Sequence, residues 1–324
     1  MAITQQRAGD IALRTLLAGT KLSPTEIEKR FAQAISPTYW EELIPDLSVN
    51  GRDDSTLAES QPIGKQLQEQ LLKSISRSGY FQTPNPIIAR DTLDRMRDGV
   101  AILRREGWPE VFGFVYKEFW QIIRTPSLVN LLAAALGAGY SPLPHVVVHY
   151  ITPGASGWRP HVDFSDRADR FTVWVALNDV ELDGGCMYLI PRDRISASLQ
   201  QQFINSKDVT HKEVQSLLHG SRALPVRAGS FLGWDHDVIH WGASCSINAE
   251  PRISMSVVFL RENIAPLADE VPLLDQRSVP DFAQRLFAIA KALTYYDVHV
   301  LALSRFGDLA ARLVAEVKKT ALNA

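Results

Sequence analysis

His161-Val162-Asp163 sets an imidazole and a carboxylate two positions apart. On an extended strand, positions i and i+2 point to the same face, so both side chains can reach one metal ion. His240 follows Asp163 by 77 residues and offers a second imidazole. Two histidines and one carboxylate form a facial triad, which grips one face of an octahedral iron and leaves three positions open. Twelve residues beyond His240 stands Arg252, in Arg252-Ile253-Ser254-Met255-Ser256. Alternation of period two predicts Arg252, Ser254 and Ser256 on one face and Ile253, Met255 and Val257 on the other. A polar inner face is expected where a sheet encloses a polar ligand. A guanidinium pairs bidentately with a carboxylate, and a serine two residues on adds a hydrogen bond. This suits the distal carboxylate of 2-oxoglutarate, with the keto-acid end left to chelate iron. An HxD pair alone arises by chance in many proteins; the ordered set is what predicts the chemistry.

The elements that must position these residues change in character along the chain. The first ~140 residues read as helices: Thr25 to Ile35 after the capping pair Ser23-Pro24, Gly64 to Ser78 with Gly79 as its stop, Pro109 to Arg124, and Ser127 to Leu136. The polar stretch from Asn50 to Ser60 reads as an exposed loop. From Ser141 to about Glu262 short β-rich runs alternate with Gly, Pro and Asp: His145 to Ile151, Phe171 to Leu177, Cys186 to Ile190, Gly229 to Leu232 and Ile253 to Leu260. Ile195 to Gln202 and Val209 to Leu218 are expected to be helices inserted between strands, and helix returns after Pro266, ending with Val300 to Lys318. Helices around many short antiparallel strands predict an α+β protein built on a β-sandwich or barrel. The expected division is a helical region 1–140 packing on a core, a core 141–262 and a helical region 263–324, together one compact domain.

His161-x-Asp163, His240 and Arg252-x-Ser254 resemble the iron and 2-oxoglutarate motifs of the phytanoyl-CoA dioxygenase (PhyH-like) family. Thr172 to Pro191, TVWVALNDVELDGGCMYLIP, is similar to the family's run from a Trp-containing strand through a Gly-Gly-Cys turn. The resemblance spans roughly 141–262, departs where Pro191-Arg192-Asp193-Arg194 replaces the family's Pro-Gly-Ser-His, and leaves the N-terminal 140 residues unassigned. It implies a double-stranded β-helix (jelly-roll, cupin-like) core flanked by helices. It also implies Fe(II) as cofactor, 2-oxoglutarate and O2 as cosubstrates, and oxidation of a substrate C–H bond, most simply hydroxylation, with desaturation, epoxidation or ring closure as variants. Halogenation is not expected, because Asp163 fills the coordination place a halide would take. Of the two candidates for the distal ligand, His240 matches the family's His-x-Gly-Ala/Ser pattern and His236 does not. Trp174 falls where the family has a tryptophan beside the cosubstrate, with core packing as the competing role. His145 and His149 are expected to share a face, packing or lining the cavity. Trp158 and Arg159, in the loop before the HxD, and Trp241 are candidates for the substrate wall; solvent exposure is the alternative for Arg159.

Composition agrees with an ordinary globular enzyme: 46% hydrophobic, 22% charged and a formal charge of −2. No general attraction to nucleic acid or an anionic membrane follows. Two cysteines, Cys186 and Cys245, and no basic–apolar leader in MAITQQRAGD predict a cytoplasmic protein. The expected partner is a small molecule such as an amino acid or secondary-metabolite intermediate; oligomeric state is not legible. The alternatives are a 2-oxoglutarate-independent cupin-type metalloenzyme and a non-catalytic member of the same fold.

Overall fold

The computed structural model describes residues 21–50, 57, 59–163, 169–204, 210–296 and 301–322. The opening decapeptide, most of the predicted 50–60 loop, and the expected helix starts at Val209 and Val300 lie outside the described residues.

Among the described residues, eight strands form two antiparallel sheets. They are β1 (Tyr80–Gln82), β2 (Ser141–Ile151), β3 (Arg170–Ala176), β4 (Met187–Leu189), β5 (Arg222–Leu224), β6 (Phe231–Asp235), β7 (His240–Gly242) and β8 (Arg252–Leu260). The larger sheet runs β1-β6-β3-β8-β2 and the smaller β5-β4-β7. Trp174, Ala176, Leu232 and Trp234 of the first sheet pack with Met187, Leu189 and Leu224 of the second, so the two face one another as a jelly roll. The parity expected for β8 holds. Arg252, Ser254 and Ser256 look into this space, while Ile253, Met255 and Val257 join a helical core outside it, with Leu93, Met96, Phe114 and Ile289. The outer face is apolar because helices cover it.

The helices among the described residues are α1 (Pro24–Ala34), α2 (Pro37–Leu43), α3 (Lys65–Ser78), α4 (Arg90–Arg105), α5 (Lys117–Gln121), α6 (Pro126–Leu136), α7 (Ala197–Ile204), α8 (His211–Gly220), α9 (Phe282–Tyr296) and α10 (Gly307–Leu322); α7 and α8 connect β4 to β5 and add no residue to that outer core. Ser23 and Glu26 close a capping box on α1, and Gly79 ends α3 at φ 79°, a backbone angle that a side chain would strain. The continuous helix expected over 109–124 is instead a 3-10 turn (Glu110–Val115), α5 and a second 3-10 turn. Tyr116 is extended between them and the Lys117 N–H donates to Ser48 O, so the helical ladder breaks where this buried segment meets the N-terminal region. α9 lies against β2 and the 110–115 turn. Strand β2 carries a bulge between Pro142 and Val146, and His145, inside it, stacks on Tyr295 of α9 at 5.0 Å. It therefore does not line a cavity with His149, because the bulge breaks the even spacing that would have placed them together.

Candidate metal centre

His161 and His240 are brought together by a single antiparallel bridge. His161 N–H donates to His240 O (3.0 Å) and His240 N–H to His161 O (2.9 Å). The HxD segment is thus not a ladder strand as expected; one bridge to the first residue of β7 suffices to set its direction. Each ring is turned by a backbone carbonyl two residues upstream. His161 Nδ1 donates to Arg159 O (2.8 Å), and His240 Nδ1 to Val238 O (2.9 Å). A carbonyl only accepts, so each Nδ1 carries a proton, and each Nε2 turns a lone pair inward once it is deprotonated.

Asp163 completes the group. Its Oδ2 accepts from Thr172 Oγ1 (2.6 Å) and Trp234 Nε1 (2.9 Å), which leaves Oδ1 facing His240 Nε2 (3.3 Å) and His161 Nε2 (3.7 Å). One donor atom from each of the three residues lies within 4.8 Å of the other two, a separation that can hold a metal ion. His236 is not part of this group. Burial opposes ionisation of Asp163, yet the two imidazoles and the Thr172 hydroxyl hold its carboxyl well below the usual range. Burial also favours neutral His240, but the Asp163 charge and its hydrogen bond win and raise the imidazole. A carboxylate and an imidazole that each favour the other's ionised form make a site ready to exchange a proton for a cation.

Beside the triad the inner face of the larger sheet carries polar atoms with no partner. Arg252 is 2% exposed; its Nη1 donates to Gly185 O (2.6 Å), and its Nε has no partner. Among the described residues no carboxylate reaches it, and burial pulls its pKa down to about 10. Ser254 Oγ and Trp174 Nε1 are likewise buried and unsatisfied. All three point into the space between the sheets, where Ser254 pairs in register with Ala176 and His149, and Trp174 with Ser256. A buried cation and two orphaned hydrogen-bonding groups are costly unless a ligand meets them. An anionic dicarboxylate fits these residues. Gly242 permits the arrangement: a Cβ there would lie 2.6 Å from Arg252 Nη1. That is a physical reason for glycine two residues after the distal histidine.

The substrate candidates divide. His149 and Trp158 line a cavity next to the triad, with Trp158 5.8 Å from the His161 ring and 6.1 Å from His149. Burial, then the Arg252 charge, push His149 down to about 3, so it is neutral. Arg159 is exposed and contributes its carbonyl rather than its guanidinium. Trp241 is a correction: it stacks on Tyr188 at 5.3 Å, and strand alternation turns it away from the face that His240 uses. Thr172 and Trp234, the supports of Asp163, escaped the sequence reading; Thr172 shares strand parity with Trp174, the signal that could have found it.

Fold and site together define an oxygenase-type enzyme using non-haem iron and 2-oxoglutarate. The chain belongs to the phytanoyl-CoA dioxygenase (PhyH) family, whose sequence profile matches residues 84–247, just over half of its 324 residues. That span takes in α4 to α6, which the sequence resemblance had left unassigned, and all three triad residues, but stops short of Arg252. No curated protein matches the sequence. Among solved structures, the non-haem α-ketoglutarate-dependent epimerase SnoN from nogalamycin biosynthesis is similar in fold, with a TM-score of 0.51 and 17% identity over 66% of this chain and 98% of that one. SnoN has also been solved with Fe3+, α-ketoglutarate and nogalamycin RO. The apo form of the non-haem monooxygenase ThoJ aligns with a TM-score of 0.50 and 13% identity, over 78% of this chain and all of that one. Among the described residues, no helix is long and apolar enough to cross a membrane.

Proposed function

We propose that the chain is an Fe(II)- and 2-oxoglutarate-dependent dioxygenase that hydroxylates an unactivated C–H bond of a small molecule. In this reading His161, Asp163 and His240 hold the metal, and Arg252 with Ser254 holds the distal carboxylate of the cosubstrate. Trp174 Nε1 supplies a further donor, while His149 and Trp158 form part of the substrate wall. When bound, iron and 2-oxoglutarate would supply the oxidising power, with O2 as oxidant and succinate and CO2 as the products of the cosubstrate.

The remaining work falls to the chain. The Arg159 and Val238 carbonyls fix both imidazoles, so neither must rotate when the cation binds. Thr172 and Trp234 reserve Oδ1 of Asp163 for the same purpose. The Arg252 guanidinium, held by Gly185 O against Gly242, is placed before any ligand arrives, and such preorganisation lowers the ordering cost of binding. The larger sheet and its helical cover exclude water from this side of the site.

The observation that carries this reading is Arg252: a buried guanidinium that no carboxylate of the described residues reaches, on the sheet face from which Thr172 donates to Asp163. Anaerobic titration of the metal-free protein with Fe(II) and then 2-oxoglutarate is the test. A weak visible metal-to-ligand charge-transfer band is expected in the wild type and lost in His161→Ala and Arg252→Ala. A wild type that takes up Fe(II) but gives no band and consumes no 2-oxoglutarate contradicts it.

A further inference from the structure

The cavity beside His149 and Trp158 has a volume of about 260 Å3 and runs along β2, the edge strand of the larger sheet. One wall comes from α9, through Ala292 and Tyr296. Both lie beyond the family match at 84–247, so this wall belongs to the chain's own C-terminal region. The floor is largely the valine run 146–148.

Charge decides what such a cavity accepts. Among the described lining residues the one guanidinium is Arg104, and it is already engaged twice, by an ion pair with Glu110 and by lying 3.8 Å over the Tyr150 ring. Those charges cancel, and His149 is neutral. A carboxylate or ammonium entering here finds no free counter-charge, and burying an unpaired ion is far costlier than burying an alcohol. Among the described residues two phenols line the space: Tyr150, whose ring lies under the Arg104 guanidinium, and Tyr296. Tyr296, in the last turn of α9, is near enough to Asp163 for that carboxylate to act on its phenol. The volume is also below the range of about 300–1,000 Å3 typical of larger ligands, so it fits a small molecule or one end of a longer one.

We propose that the part of the substrate entering this cavity is uncharged and mainly apolar, and that the Tyr296 hydroxyl selects it by hydrogen-bonding a neutral oxygen. This rests on the oxygenase reading for the reaction but not for the binding. The chemistry favours an alicyclic or aromatic alcohol or ketone over an amino acid, whose two charges would go unmet. Tyr296 is then a specificity-determining residue.

The test uses three probes of matched shape, cyclohexanol, cyclohexanecarboxylate and cyclohexylammonium. Binding is read by ligand-observed NMR on metal-free protein, and separately as a shift of the charge-transfer band in anaerobic protein loaded with Fe(II) and 2-oxoglutarate. Cyclohexanol is expected to bind at least about tenfold more tightly than either charged analogue. Tyr296→Phe should weaken it by about three- to tenfold, the worth of one neutral hydrogen bond. Ala292→Trp, which fills the cavity, should abolish its binding and leave the band. Failure of cyclohexanol to bind, charged probes binding equally well, or indifference to Tyr296→Phe overturns the inference. Absence of the band in wild type with NMR binding intact would instead overturn the oxygenase reading alone.

Discussion

His161 and His240 exchange both of their backbone hydrogen bonds and hold their rings 4.4 Å apart, although 78 residues separate them in sequence. Two imidazoles are thereby aimed from one rigid bridge rather than from two independent loops, and Asp163 need only swing in from the next turn of chain. The consequences can be measured at the residues that support the triad.

Removing the supports of Asp163 should loosen the metal without removing a ligand. Thr172→Val and Trp234→Phe each delete one donor to Oδ2. A fall of about 10- to 100-fold in Fe(II) affinity is expected for each, as is usual for groups that orient a metal ligand. Competition with a chelator gives the number. Affinity unchanged in both variants would mean that Asp163 is oriented by something else.

Gly242→Ala should act on the cosubstrate and spare the metal. The added methyl meets Arg252 Nη1 at 2.6 Å in a buried setting where the guanidinium has little room to yield. Overpacking of this kind costs about 1–3 kcal/mol. We expect 2-oxoglutarate affinity to drop about tenfold or more, while Fe(II) binding stays within about twofold.

Arg252→Met should separate stability from function. An unpaired buried charge burdens the apoprotein, and replacing it with an apolar side chain of similar length is neutral or stabilising. The melting temperature without ligands is expected not to fall. In the wild type 2-oxoglutarate should add about 2.7 kcal/mol of stability at a hundred times its Kd, and in the variant nothing. A marked drop in melting temperature would show that Arg252 is a structural residue.

The pH response of metal binding follows from the same group. Raised His240 contributes stability to the apoprotein that is full below its unfolded value of 6.5 and is lost as pH rises through its folded value. Lowered Asp163 contributes stability that is present above its unfolded value of 3.8 and is lost as pH falls. Their pair therefore favours the metal-free protein most in the window between those two values. Fe(II) must displace the His240 proton, so anaerobic calorimetry should show the Fe(II)-induced rise in melting temperature growing from about pH 6 to pH 8. A flat response would contradict the pairing.

The order of donors along the chain determined the chemistry at the level of residue types. Arg252 and Ser254 share an inward face because strand alternation is a local property that a sequence displays directly, and the HxD spacing named His161 and Asp163 although a single bridge to His240, not a ladder strand, brings the three together. The helix stop at Gly79 was legible for the same reason. What tertiary structure alone decided depends on neighbours remote in sequence. The Ser48 carbonyl breaks the helix expected over 109–124, and a bulge in β2 sends His145 to Tyr295. Tyr188 claims Trp241, and α9 folds back so that Tyr296 closes a cavity more than a hundred residues from the strand it faces. Periodicity specifies which way a side chain points, but only packing specifies what it meets.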